Sequence, residues 1–283
     1  MKNNLLYAVA LFIGLATAGA QADTLIGTPI SRLPATISKP GKYRLAKDLS
    51  ISGSAVTAIS ITTSNVVLDM NGFTLTGTAA GSVSTAINIT GSYVTVRNGS
   101  IIGFGTAVTT LQTGSEGPQT MITVENLDCD SQTNYVALFV QATNAVIRCC
   151  RVTNSIGVTG PEFGIASNNS GVVVDCIVSG LKSSGNQITG IAIADIGSPS
   201  NNAQVVCRCV VSNLTATASQ MGVVSGAEST VIDDCSFYNL NTPTSAAAQG
   251  VVIVKNCSFR ACGTSFKDNE TVVIDGGNNT IVP

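Results

Sequence analysis

From Val124 onward a six-residue phrase recurs in which an aliphatic residue is followed by two mostly polar ones, usually a Cys, one variable residue and another apolar one. The copies are VENLDC (124–129), IRCCRV (147–152), VVDCIV (173–178), VCRCVV (206–211), IDDCSF (232–237) and VKNCSF (254–259). VRNGSI (96–101) has the same form with Gly99 in the Cys slot, and LDMNGFTL (68–75) reads as the same element lengthened by about one residue, so eight turns are counted. Small or apolar residues open a second short run once per turn, at Ala58, Ala86, Ala107, Val136, Gly164, Gly190, Gly222 and Gly250. A repeat that varies in its loops but keeps its apolar slots predicts a solenoid, in which each unit buries its faces against its neighbours.

Val, Ile and Thr dominate runs of four to six residues punctuated by Gly, Asn and Ser, which is strand and turn composition. After residue 23 no stretch carries the three-and-four apolar spacing of an amphipathic helix. The phrase predicts its own bend. Inward residues at positions one, four and six break the period of two of a straight strand, so the chain turns just before the Cys slot. That position holds Asn98, Asn126, Asp175, Asp234 and Asn256, residue types that tolerate a left-handed backbone, with Cys149 and Arg208 as departures. The expectation is an all-β, single-domain solenoid of about eight coils with three strand faces, ~40 Å long at the strand spacing.

The segments PGKYRLAKDLS (40–50), AISITTSNVVLDMNGFTLTG (58–77) and VTVRNGSIIGFG (94–105) resemble the opening coils of exported bacterial β-helix proteins. Over residues 24–283 the chain is similar to the right-handed parallel β-helix of the pectin-lyase-like superfamily. That resemblance implies the fold and leaves activity open, because the superfamily includes lyases, hydrolases, epimerases, binding proteins and surface structures. Residues 1–22 read as a signal peptide: Lys2, an apolar run from Leu5 to Leu15, and small residues at Ala20 and Ala22 before Asp23. Residues 23–57 are assigned to an N-terminal cap with the first strand, and 58–283 to the coils. The expected location is outside the cytoplasm, in periplasm, on the cell surface or in the medium, without stable membrane insertion.

Without Lys2 the chain has 13 basic and 16 acidic residues, a formal charge of −3. Scattered cations of this number argue against a nucleic-acid partner. All nine cysteines follow residue 128. Cys150, Cys176, Cys209, Cys235 and Cys257 share one slot, which favours a stacked interior ladder of small apolar side chains over disulfides, although neighbouring coils at ~4.8 Å also satisfy the Cα separation of a disulfide. Cys149, Cys207 and Cys262 lie off that ladder and are the expected reactive or disulfide-bonded cysteines.

There is no histidine, so Ser/His and Cys/His nucleophiles and histidine-ligated zinc are excluded. No Gly-rich phosphate loop precedes a helix, so no nucleotide partner is expected. Of the segments that mark polygalacturonase-like members, only the pair Asp233 and Asp234 has a counterpart. Pectate-lyase-like members use carboxylates that hold Ca²⁺ against an acidic sugar and an Arg or Lys that removes a proton. Repeat alignment stacks Asp175, Arg208 and Asp234 in one slot and Asp233 and Lys255 in the slot before it. On that reading Arg208 and Lys255 are the catalytic candidates and Asp175, Asp233 and Asp234 the metal candidates. The competing reading is a surface ladder in which the opposite charges limit repulsion up the stack.

Glu125 and Arg148 form a similar pair, and Arg148, Arg151, Tyr238 and Arg260 are the polysaccharide-contacting candidates, although aromatic residues make up only 5% of the chain and Trp is absent. Three function classes follow: a non-catalytic β-helix that binds an extracellular or envelope polysaccharide, which is favoured, with no cofactor; a Ca²⁺-dependent polysaccharide lyase; and a self-assembling structural protein whose coil ends stack into homo-oligomers.

Overall fold

The computed structural model describes residues 27–78, 83–110, 119–133, 136–157, 162–168, 171–185, 187–193, 203–227, 229–246, 251–263, 266–267 and 272–282. The segment read as a signal peptide lies outside them. Every strand pairing is parallel and no helix occurs among the described residues, so the chain is an all-β parallel solenoid. The eight turns named by the recurring phrase are present. Further rungs continue the stack at both ends, through Gly41–Leu45 and Leu49–Ser52 at one and Val272–Asp275 and Thr280–Val282 at the other.

Each turn has three strand faces. Ser229–Asp233 lies on the first, Ser236–Tyr238 on the second and Thr242–Ala246 on the third. Between the first and second faces the corner residue is the one before the Cys slot. Asn98, Asn126, Cys149, Asp175, Arg208, Asp234 and Asn256 all have φ between 50° and 60°. The left-handed conformation predicted for Asn and Asp therefore extends to the two departures. The reason is visible in the backbone: Cys149 N–H donates to Val174 O at 3.1 Å and Arg208 N–H to Asp233 O at 3.0 Å, so the neighbouring coil holds the path. In LDMNGFTL the corner contains Met70 to Phe73, because Asp69 aligns with Arg97 and Thr74 with Ser100. The insertion is two residues rather than about one, with both Asn71 and Gly72 at positive φ.

Inside the solenoid, Cys150, Cys176, Cys209, Cys235 and Cys257 are buried free thiols stacked immediately after this corner. Their spacing lets backbone amides use the sulfurs: Cys209 N–H and Cys235 N–H each donate to the Sγ of the next Cys at 3.4 Å. Burial pushes the Cys129 thiol well above its ordinary value. On the second face the inward column grows from Val178 and Val211 to Phe237 and Phe259, whose rings stack at 5.2 Å.

That growth explains the small-residue column opposite. A Cβ at Gly190 would stand 2.4 Å from Val211 Cγ1, and one at Gly222 would stand 2.7 Å from Phe237 and 2.3 Å from Pro243 O. Facing the earlier coils, Ala58, Ala86 and Ala107 suffice. Two markers read from sequence are misplaced. The rung after Ala107 is Ala137, since Val108 aligns with Leu138, and Val136 points outward against Phe163 in a separate buried cluster with Ala166 and Ala192. The rung after Gly222 is Pro243, because Met221 aligns with Thr242 and Val223 with Thr244. Gly250 lies outside the described residues. Both errors come from treating the small or apolar residue that opens a run as the marker when the register is set by the apolar residues within the run.

Replacing Asn126 by Val, which resists the left-handed region, is expected to lower stability by ~1–2 kcal/mol, while Asn126→Gly leaves it nearly unchanged. Urea unfolding of the two variants checks this. Brief alkylation of the native protein, read by mass spectrometry, should label exposed Cys149 first and half-buried Cys207 and Cys262 more slowly, and should spare the six buried thiols until the chain unfolds.

Candidate functional site

The outward position just before the first corner runs up the solenoid as Arg44, Asp69, Arg97, Glu125, Arg148, Val174, Cys207, Asp233 and Lys255. Opposite charges on successive rungs meet. Arg97 Nε donates to Asp69 Oδ2 at 2.9 Å, Arg148 binds Glu125, and Lys255 Nζ lies 3.1 Å from Asp233 Oδ2. Where Val174 and Cys207 interrupt this row, the charges move one residue along, to the corner itself. There Arg208 grips Asp175 with both edges of its fork, Nε at 2.7 Å from Oδ1 and Nη2 at 2.9 Å from Oδ2. On the second face Arg151 Nε lies 3.1 Å from Asp128 Oδ1.

The charge constellation read from the repeats is thus in place, as two separate pairs. Asp175 with Arg208 and Asp233 with Lys255 share no ligand, and among the described residues no three His, Cys, Asp or Glu side chains converge as a cation-holding group. Asp234 is exposed at its corner, where its N–H donates to Lys255 O at 3.2 Å. The hydrogen bonds from Arg208 hold the Asp175 carboxyl below the ordinary range, and the carboxylate in turn raises the Arg208 guanidinium. A base that removes a proton from a sugar needs the opposite shift. Asp233 is lowered first by the hydrogen bond from Asn256 Nδ2 at 2.8 Å and then by Lys255.

Of the four sugar-contacting candidates, Arg148 and Arg151 flank one corner on the same turn, each engaged by a carboxylate. Tyr238 and Arg260 are direct register partners at the ends of the last two phrases, three and four rungs further along, so the two groups are separated by roughly 14 Å at the strand spacing. Arg260 is exposed and makes no ion pair among the described residues.

Two carboxylates escaped the sequence reading. Asp130 accepts hydrogen bonds from Thr153 Oγ1 and Asn154 Nδ2 at 2.7 Å and from Ser131 Oγ at 2.9 Å; burial works against its charge, but these donors prevail and hold the carboxyl below its usual range. The run Asp-Ser, followed one coil later by Thr-Asn, was the available signal. Glu162 is buried, receives the Gly157 N–H, and leaves Oε1 without a hydrogen-bond partner among the described residues. Burial pushes it up to about 8. Only the register, which aligns Glu162 with the core residue Ile188, reveals this position.

No family model matches the chain, and no curated protein matches it. Among solved structures it is similar to the catalytic domain of a GH87 alpha-1,3-glucanase in complex with tetrasaccharides, at 12% identity and a TM-score of 0.25. That likeness covers 92% of this chain and 65% of the glucanase chain, so this chain spans less than two thirds of its length. At that TM-score it decides nothing about fold or chemistry here.

Because the folded-state value of Glu162 lies above that of an unfolded carboxyl, the unfolded chain binds fewer protons between the two. Stability therefore falls as pH rises from the ordinary carboxyl range to about 8 and is level beyond it. Glu162→Gln is expected to melt like the parent at acid pH and at a higher temperature above about pH 8, with thermal melts across pH as the check.

Proposed function

We propose that the chain is an exported, non-catalytic solenoid that binds an acidic polysaccharide along the C-terminal part of its second face. The observation that carries this reading is the adjacency of Tyr238 and Arg260, aligned on neighbouring coils with Arg260 free of any carboxylate among the described residues. A phenol ring supplies an apolar face with a polar tip, and a guanidinium supplies a paired donor edge suited to a sugar carboxylate. Arg97, Arg148, Arg151, Arg208 and Lys255 are already engaged by carboxylates, so their charge is directed into the coil stack. Ser236 and Ser258, half-buried and in register on the same face, add hydroxyls beside the pair.

Electrophoresis through gels containing acidic polysaccharides tests this. Retardation should weaken by about tenfold for Arg260→Ala, the loss of one charge-assisted hydrogen bond, and by a smaller factor for Tyr238→Ala. Retention unchanged in both variants would refute the site. An ultraviolet-absorbing unsaturated product that requires Ca²⁺ and Arg208 would refute the non-catalytic reading and make the Asp175–Arg208 pair an active centre.

A further inference from the structure

Charge is distributed unevenly along the solenoid. Residues 27–52 hold Arg32, Lys39, Lys42, Arg44 and Lys47 against Asp48 alone, a net of +4, while residues 53–283 hold 8 basic and 14 acidic residues, a net of −6. The pairing habits differ in the same way. Among the described residues none of the five N-terminal cations makes an ion pair, whereas five cations on the later coils do. Arg44 is the clearest case. It stands in register with Asp69, yet that carboxylate is taken by Arg97 and by Asn98, and the Arg44 Nε has no hydrogen-bond partner among the described residues. The one acid within residues 27–52, Asp48, accepts the backbone N–H of Thr74 at 2.8 Å.

These cations surround the end of the solenoid. Arg32 lies in the link between Thr28–Ile30 and Ala35–Ile37, Lys39 at the corner before Gly41–Leu45, Lys42 and Arg44 on that strand's outward positions, and Lys47 at the corner before Leu49–Ser52. Arg32, Lys39, Lys42 and Lys47 are exposed. The same end carries Pro29, Pro34 and Pro40, and prolines and lysines at a sheet edge oppose the addition of another chain's strand. A partner recognised by charge fits better than one recognised by strand pairing.

We propose that this end docks, end-on, against a membrane leaflet bearing anionic phosphate headgroups. A flat anionic surface meets all the surrounding cations at once, which a linear polymer crossing the end does not. The net negative charge of the remaining coils orients the long axis away from such a surface. Lys and Arg near an anionic leaflet each contribute ~1 kcal/mol, so four exposed cations suffice for reversible binding without insertion. The proposal is independent of the polysaccharide site, which lies at the other end.

The experiment is co-sedimentation of the chain from Asp23 onward, which retains every described strand, with phosphatidylcholine vesicles with and without phosphatidylglycerol. Binding is expected with the anionic vesicles alone and should fall as salt rises. Each cation removed should weaken it about fivefold, so that the Lys39→Ala/Lys42→Ala double variant loses about twenty-fivefold. Lys182→Ala, which removes an exposed cation from a middle coil, should bind as the parent does. Equal loss in Lys182→Ala would overturn end-on docking. Absence of binding to the anionic vesicles would overturn the leaflet as partner, and so would retention on a soluble acidic polymer through Lys39 and Lys42 without vesicle binding.

Discussion

The structure depends on a left-handed residue at the first corner of each of the eight coils that carry the recurring phrase. A chain that turns there while its amides still bond to the next coil must place one residue at positive φ, and L-residues resist that by ~1–2 kcal/mol unless they are Asn, Asp or Gly. Once the corner is set, the following residue points inward and is apolar or Gly, with Gly99 and Leu127 on two coils and Cys on the next five. The residue before the corner points outward, where Arg97, Glu125, Arg148, Asp233 and Lys255 meet as rung-to-rung pairs. Cys149 and Arg208 show how far templating by neighbours carries the constraint, since both adopt the same conformation against their intrinsic preference.

This constraint was legible in the sequence wherever a Cys or Gly stood beside the corner. The first corner, the thiol ladder and the stacked charges at Asp175, Arg208, Asp233 and Lys255 followed from it. The second corner, with Asn154, Asn213 and Asn239 at positive φ, and the third, with Asn65, Tyr93 and Met121, were not read. Their inward neighbours vary in type, as Ser155, Leu214 and Leu240 do, so no fixed residue marks the slot. Val136 and Gly250 read in the sequence as successive markers of one column, because a small or apolar residue opening a run carries less information than the register around it. Glu162 and Asp130 stayed hidden for a related reason: their character comes from which residues lie on the adjacent coil, at separations the phrase does not encode.

The charged residues divide into two populations. Those between Asp69 and Lys255 are largely tied to partners on the neighbouring rung, and exposed pairs of this kind contribute little to stability and leave little field for a ligand. Arg260 and the N-terminal cations are not so engaged. On this account recognition is placed at the ends of the ladder, with Tyr238 and Arg260 toward one terminus and the Lys-rich turn at the other, while the middle serves to hold them apart.

The most direct test of that division replaces Asp175, Arg208 and Asp234 together with Asn, the residue the same corner uses on other coils. If these charges are present for backbone and ladder reasons, the triple variant folds with a thermal midpoint close to the parent and is retarded by acidic polysaccharide to the same degree. A variant that folds normally but loses retardation, or loses an activity the parent shows, would contradict the account and place the functional centre in the ladder itself.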